Sequence, residues 1–321
     1  MRAWRIHELG EPTDVMVLED VDPPEPGPGQ VAIDVAAAAL NFPDVLLCRG
    51  QYQEKPPLPF IPGVEVAGTR VDTGQRVLAA PAMPHGGLTE RTVAAESTTY
   101  PIPDSMSMEA ASALQITYQT GYLALHNRAH IQPGETLLVH AGAGGVGSAA
   151  IQLGLAAGAR VFATAGGPEK VEVCRKLGAD IAIDYTTEDF VEVVKQATGG
   201  KGADVIYDPV GGDVFDRSRK CIAFEGRILV IGFTSGRIAD APTNHALVKN
   251  YAVVGVHWGL YNRVRPEVPR QIHDELVRLY EEGKIDPLIS HVAPMDQAPQ
   301  ALAALASRGT TGKVVVRVTP A

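Results

Sequence analysis

The chain has 321 residues, 45% hydrophobic and 20% charged, the make-up of a globular protein long enough for two domains with sizeable cores. Its net charge of −9 argues against nucleic acid as a partner held by bulk electrostatics. Three widely spaced cysteines, Cys48, Cys174 and Cys221, fit free thiols in a reducing compartment. No apolar run reaches the length of a membrane span, and MRAWRIHELGEPTDV lacks a signal-peptide core, so the expected location is the cytoplasm.

The first third is punctuated like β-structure. Apolar stretches such as Gln30–Ala37 alternate with DPPEPGPG at Asp22–Gly29 and EKPPLPFIPG at Glu54–Gly63, which predicts an irregular antiparallel barrel or sandwich. From Ser107 the pattern turns helical, with MEAASALQITYQTGYLALHN. Six apolar strands follow: TLLVHA, RVFATA, DIAIDY, DVIYDPV, RILVIGF and AVVGVHW. Helical segments separate the first five: VGSAAIQLGLAAG, EKVEVCRKLG, TEDFVEVVKQATG and GDVFDRSRKCIAF. Such alternation predicts a parallel sheet covered on both faces. Helices at Pro266–Gly283 and Asp296–Arg308 precede a last strand, KVVVRV, which is more like the N-terminal part. The expected fold is α/β: a Rossmann doubly wound parallel sheet at 123–259, inserted into a β-rich domain built from 1–122 and 260–321. Ligands of such sheets bind at the carboxyl ends of the strands, so the cleft between the domains is the expected active site.

The most telling stretch is TLLVHAGAGGVGSAAIQLGLAAGARVFATA, a strand, glycine-rich turn, helix and strand. Gly142, Gly144 and Gly147 have the G-x-G-x-x-G spacing, with Gly145 and Val146 between the second and third glycines. The first glycine permits a tight turn, the second a close approach of backbone to a pyrophosphate, and the third close packing of helix on strand. Backbone N–H groups at the helix start face the phosphates. The plain reading of such a turn is a βα connection without a ligand; its strand–helix–strand context favours a dinucleotide. The second strand ends Thr164-Ala165-Gly166-Gly167 with no carboxylate at the tip, and Lys170 follows. A ribose 2′-phosphate repels a carboxylate and attracts an ammonium, so NADPH is expected over NADH.

Several segments resemble the medium-chain dehydrogenases/reductases: NFPDVLLCRGQY at Asn41–Tyr52, PPLPFIPGVEVAG at Pro56–Gly68, HAGAGGVGSAAIQLG and the C-terminal TTGKVVV. The resemblance runs nearly end to end and is greatest to the zinc-independent, zeta-crystallin-type quinone oxidoreductases, in particular the quinone oxidoreductase-like branch. It implies a GroES-like catalytic domain, NADPH-dependent hydride transfer to quinones or enones, and a homodimer. Zinc alcohol dehydrogenases of the same superfamily carry Cys and His ligands and a G-H-E motif. Here Asn41 stands at the Cys position, Val64 at the His position, and no cysteine-rich lobe is present, so no metal is expected.

The resemblance places Asn41 at the nicotinamide or its ribose, where an amide can donate and accept. It places Tyr52 in the same pocket, as a proton donor or as an aromatic that only packs. Asp44 reads as structural. Thr117 and Tyr118 belong to a helix that reaches the cofactor in the family, with core packing as the other reading. Thr164 and Gly166 end the second strand; Tyr185 ends the third, near the adenosine phosphate by resemblance. Asp208 and Val210 end the fourth strand; Gly232, Phe233 and Ser235 end the fifth. Lys313, beside the last strand, reads as a cofactor contact or a surface lysine. The nine histidines form no metal cluster by spacing; His140 is expected buried and neutral, and His257 is a candidate for the substrate cleft. Two other readings stay open: a reductase of α,β-unsaturated acyl thioesters, and an NADPH-binding structural or sensor protein. The sixth strand, with no proline or inward charge, is expected at a sheet edge where two copies would pair.

Overall fold

The computed structural model describes residues 1–318, which form two compact units. One comprises Met1–Ile116, Arg265–Val277 and the chain from Pro287 onward; the other comprises Thr117–Val264 and Arg278–Asp286. In chain order the strands are β1 (Arg2–Ile6), β2 (Met16–Asp20), β3 (Gln30–Leu40), β4 (Val66–Arg70), β5 (Arg76–Pro81), β6 (Arg91–Pro101), β7 (Thr136–Val139), β8 (Arg160–Ala165), β9 (Ile181–Asp184), β10 (Ala203–Asp208), β11 (Ile222–Val230), β12 (Ala252–Gly255), β13 (Ile289–Pro294) and β14 (Lys313–Arg317).

The first unit is the β-rich GroES-like one. Its main sheet runs β13-β14-β3-β4-β5-β6, and β6 returns to pair with β3, so β3 to β6 close into a ring. Closure protects strand edges. Alternate residues of β3 point inward up to Val35; a register shift against β4 between Val35 and Ala37 then gives that side to Ala38 and Leu40, and Ile33, Val35 and Leu40 join Phe60, Val66, Leu88 and Val316 in one core. At Gly68 a Cβ would meet Asp34 O at 2.1 Å, so β4 lies closer to β3 than any side chain would allow. The final strand β14 pairs antiparallel with β3, Val314 opposite Leu40 and Arg317 opposite Ala37. That pairing ties the end of the chain to its beginning and makes the stretch between them an insertion. Trp4 packs in this core and donates from Nε1 to Met295 O (2.8 Å).

The second unit is the parallel one, ordered β12-β11-β10-β7-β8-β9. Every residue of β7 and β10 is buried, as expected for strands covered on both faces. Leu138, Phe162, Ile183, Ile206 and Ile228 contribute to one core. The chain leaves β7 first to one side and later to the other, so the strand order reverses between β7 and β10. Trp258 belongs to this unit, its Nε1 donating to Gln119 Oε1 (2.8 Å).

Two of the boundaries that differ from the sequence pattern change how an element reads. The segment GDVFDRSRKCIAF is helical only over Gly212–Ser218, and Ile222 already pairs with Ala203 in β11. The ladder then shifts register before Arg227 meets Val205, with Glu225 at φ +57 inside the bulge. A bulge hides the alternation by which a strand is recognised. The sixth strand is also shorter, because Trp258 begins a helix rather than ending β12.

Candidate functional site

The glycine turn is built as its spacing requires. Gly142 N–H donates to Thr164 O and Gly144 N–H to Ala141 O, both at 2.9 Å. A Cβ at Gly147 would lie 2.2 Å from Ala141 O and 2.8 Å from Gly142 Cα, so only glycine lets the helix begin this close to the turn. At Gly144 an added Cβ meets nothing nearer than Ala141 O at 3.3 Å. The helix Gly145–Ala156 has no side-chain cap. Its first N–H groups, on Gly145, Val146 and Gly147, therefore stand at the positive end of the dipole with no capping side chain to compete for them. This is a fit to the phosphates of a dinucleotide.

The end of β8 divides its residues between inside and outside. Thr164 is buried and faces inward, its hydroxyl 3.0 Å from His140 Nδ1. His140 Nε2 lies 2.8 Å from Ser218 Oγ, which itself donates to Val214 O. The serine proton is therefore committed, so Nε2 donates and Nδ1 accepts from Thr164. Burial pushes the His140 pKa down to about 3, which keeps the ring neutral. Outside, Tyr185 covers Gly166: a Cβ there would meet the tyrosine hydroxyl at 2.6 Å. Tyr185 is exposed, and Lys170 is half-buried in the first turn of the helix Pro168–Lys176. The nearest β9 carboxylate, Asp184, accepts from Gly167 N–H (3.0 Å) and from both the N–H and hydroxyl of Thr186.

The ends of β10 and β11 meet beside the reversal of strand order. Asp208 is buried, and its Oδ1 accepts from Val210 N–H (2.8 Å) and Gly211 N–H (2.9 Å). Burial pushes its pKa up against those two bonds. Ser235 N–H donates to Val210 O (3.0 Å), and a Cβ on Gly211 would touch the Phe233 ring at 3.0 Å. Gly232 sits over Pro209, and Phe233 leaves its ring exposed. Thr117 and Tyr118 are instead buried, with the tyrosine hydroxyl donating to Asp286 O (3.2 Å). His257 is exposed beyond β12.

The first unit gathers a buried polar cluster. Asn41 caps the helix Phe42–Cys48, its N–H donating to Asp44 Oδ2 (2.8 Å), while Gly63 N–H donates to Asp44 Oδ1 (3.1 Å). Asp44 is wholly buried, and desolvation pushes its pKa up to about 7 despite these bonds and the attraction of Lys313. The Asn41 side chain donates to Glu65 Oε1 (2.8 Å) and accepts from Lys313 Nζ (2.7 Å). Lys313 is buried and paired with Glu65 at 2.5 Å. Glu65 is a functional candidate absent from the expected site residues, although it stands at the glutamate of the G-H-E pattern, which reads Gly63-Val64-Glu65 here, and is a lone carboxylate in the apolar run PFIPGVEVAG. Tyr52 is half-buried against the core of this unit, with its hydroxyl pKa raised mainly by burial. Cys48 is buried with its pKa pushed up to about 12, which makes it an inert thiol.

Comparison with known proteins accounts for this arrangement. Residues 27–104 match the alcohol dehydrogenase GroES-like domain, and residues 145–274 match the zinc-binding dehydrogenase family. The quinone oxidoreductase-like protein 2 homolog of Nematostella vectensis is 39% identical over 98% of this chain and 88% of its own. The chain belongs to the medium-chain dehydrogenase/reductase family. Within this family it matches the quinone oxidoreductase of Thermus thermophilus, solved alone and with NADPH, at 36% identity and TM-score 0.87 over 99% of this chain and 100% of the other. The Escherichia coli quinone oxidoreductase–NADPH complex gives 29% identity and TM-score 0.90 over the same shares of the two chains. Among the described residues of this family member, no helix is long and apolar enough to cross a membrane.

Proposed function

We propose that this medium-chain dehydrogenase/reductase is an NADPH-dependent reductase that works without zinc and delivers hydride to quinones or other activated alkenes. The observation that carries the reading is the uncapped glycine-turn helix beside a β8 tip flanked by Lys170 and Tyr185, where the one neighbouring β9 carboxylate, Asp184, is taken up by Gly167 N–H and Thr186. Bound NADPH supplies the hydride, which adds to a carbon conjugated to a carbonyl. In this reading Gly145, Val146 and Gly147 hold the pyrophosphate by N–H groups, Gly142 and Gly144 let it approach the turn, and Gly166, Lys170 and Tyr185 surround the 2′-phosphate. Asp208 holds the Val210–Gly211 turn rigid, and Gly232, Phe233 and Ser235 form the adjoining wall. Asn41 faces the nicotinamide carboxamide. Tyr52 lines the acceptor pocket, and its raised pKa keeps the hydroxyl protonated as a donor toward the oxygen that gains charge.

The residues do not fit a catalytic zinc. A cation at the Asn41 position would meet an amide whose oxygen already lies 2.7 Å from the Lys313 ammonium, and Val64 offers no ligand atom. Steady-state assays with NADPH and a panel of benzoquinones, naphthoquinones, enones and α,β-unsaturated acyl thioesters test the proposal. Turnover of the quinones or enones that survives exhaustive chelation is expected. Preference for the thioesters would move the chain to that reaction class, and NADPH binding with no turnover of any acceptor would leave a binding protein.

A further inference from the structure

A primary amide has two N–H donors and an oxygen with two lone pairs. Three of those four capacities of Asn41 are used within the first unit. Nδ2 donates to Glu65 Oε1 (2.8 Å) and Ala39 O (3.2 Å), and Oδ1 accepts from Lys313 Nζ (2.7 Å). An ammonium only donates and a carboxylate only accepts, so turning the amide over would set N–H against Lys313 and oxygen against Glu65. Both partners are themselves held. Glu65 Oε2 accepts from Ile116 N–H (2.8 Å). Lys313 directs its three protons at Leu40 O (3.0 Å), Asn41 Oδ1 and Glu65 Oε1. Exposure is 6% for Asn41, 3% for Lys313 and zero for Glu65, so water does not compete for these bonds. The Asp44 N–H of the capping box bonds to the Asn41 backbone oxygen (3.0 Å) and closes no bond to the side chain, so what Asn41 has left is one lone pair on Oδ1.

We propose that Glu65 and Lys313 are positioning residues that make Asn41 an acceptor-only group, matched to the N–H of the cofactor's carboxamide and unable to donate to a substrate oxyanion. The proposal rests on the reading that Asn41 faces the nicotinamide. It divides the chemistry: Asn41 selects and orients the carboxamide, and stabilisation of the reduced acceptor's oxygen falls to another donor.

The test is calorimetric binding of NADP+ and of its 3-acetylpyridine analogue, in which a methyl ketone replaces the carboxamide and no N–H remains. Wild type is expected to bind the analogue about tenfold more weakly, the worth of one hydrogen bond. Lys313→Met alone leaves Glu65 accepting from Nδ2, so the informative variant is the charge-neutral Glu65→Gln/Lys313→Met, in which the amide introduced at position 65 can donate as well as accept; Asn41 is then free to turn and donate to the ketone, and the gap should close to about twofold, the scale of a minor contact. A folded variant that keeps the full tenfold gap overturns the positioning role. A wild type that binds both cofactors alike, while Asn41→Leu weakens NADP+, overturns the acceptor-only assignment. If Asn41→Leu changes neither affinity, Asn41 does not face the nicotinamide, and both the proposal and that part of the functional reading fall.

Discussion

Lys170 is the residue on which cofactor choice turns. It lies one helical turn beyond a strand tip where an NAD-specific chain carries a carboxylate. Lys170→Ala should weaken NADPH binding and leave NADH nearly unchanged, by about 1.5–3 kcal/mol for a charge-assisted hydrogen bond, less to the extent that water reaches it. Equal losses for the two cofactors in a titration would remove Lys170 as the phosphate reader. Gly147 makes a second prediction. A methyl group there must displace Ala141 O from 2.2 Å, so Gly147→Ala should abolish cofactor binding and lower the melting temperature. Wild-type affinity in that variant would mean that the turn yields freely. These residues are legible in the sequence because turn, helix start and strand tip are neighbours in the chain. The Asn41–Glu65–Lys313 cluster is only half legible. Asn41 and Lys313 each stand out in a separate motif, but only the β3–β14 pairing brings them together, and no local pattern announces a pairing between the two ends of a chain.

The element with the most to say about assembly is β12. Its pairing with β11 sends Val256 N–H to Val230 O (3.1 Å). The two-residue alternation of a strand then turns the N–H groups of Val253 and Gly255 away from the sheet. Gly255 O is indeed on that outer side, where Arg128 Nε reaches it at 3.3 Å. The helix Thr243–Lys249 buries none of its residues and leaves Leu247 and Val248 more than three-quarters exposed, at 77% and 79%. A homodimer through this edge is the proposal that covers both features. Val253→Pro removes an outward N–H and spares the inner ladder, so it should give a folded monomer in light scattering. A dimer that persists would place the interface elsewhere. The strands themselves are legible as alternating apolar runs with short breaks. The start of β11 is not, because the bulge around Glu225 interrupts the pattern just where helix passes to strand.

At the scale of the whole molecule, the two-unit architecture is readable because the punctuation of the chain changes near Ser107, from proline-broken strands to strand–helix alternation. Where the end of the chain returns is readable only from the likeness of KVVVRV to the N-terminal strands. Among carboxyl and imidazole groups, the most strongly shifted is Asp44 in the first unit and His140 in the second, with smaller shifts of the opposite sense at His273 and Asp208. Asp44 has a pKa raised from 3.8 to about 7, so the folded first unit holds a proton that the unfolded chain releases, and its stability falls as pH rises across that window. His140 is lowered from 6.5 to about 3, so the unfolded second unit takes up a proton that the folded one refuses, and its stability falls as pH drops. The two slopes oppose each other, and one proton limits each to about 1.4 kcal/mol for every pH step of one within its window. The chain also holds two tryptophans, Trp4 in the first unit and Trp258 in the second. Each is thus an optical reporter confined to one unit. In urea, Trp258→Phe should show emission from Trp4 persisting to higher denaturant at about pH 5 than at about pH 8, and Trp4→Phe should show the reverse from Trp258. Coincident transitions of the two reporters at both pH values would mean that the units melt as one. Separate ones would turn acidity into a dial that selects which half of the enzyme lets go first.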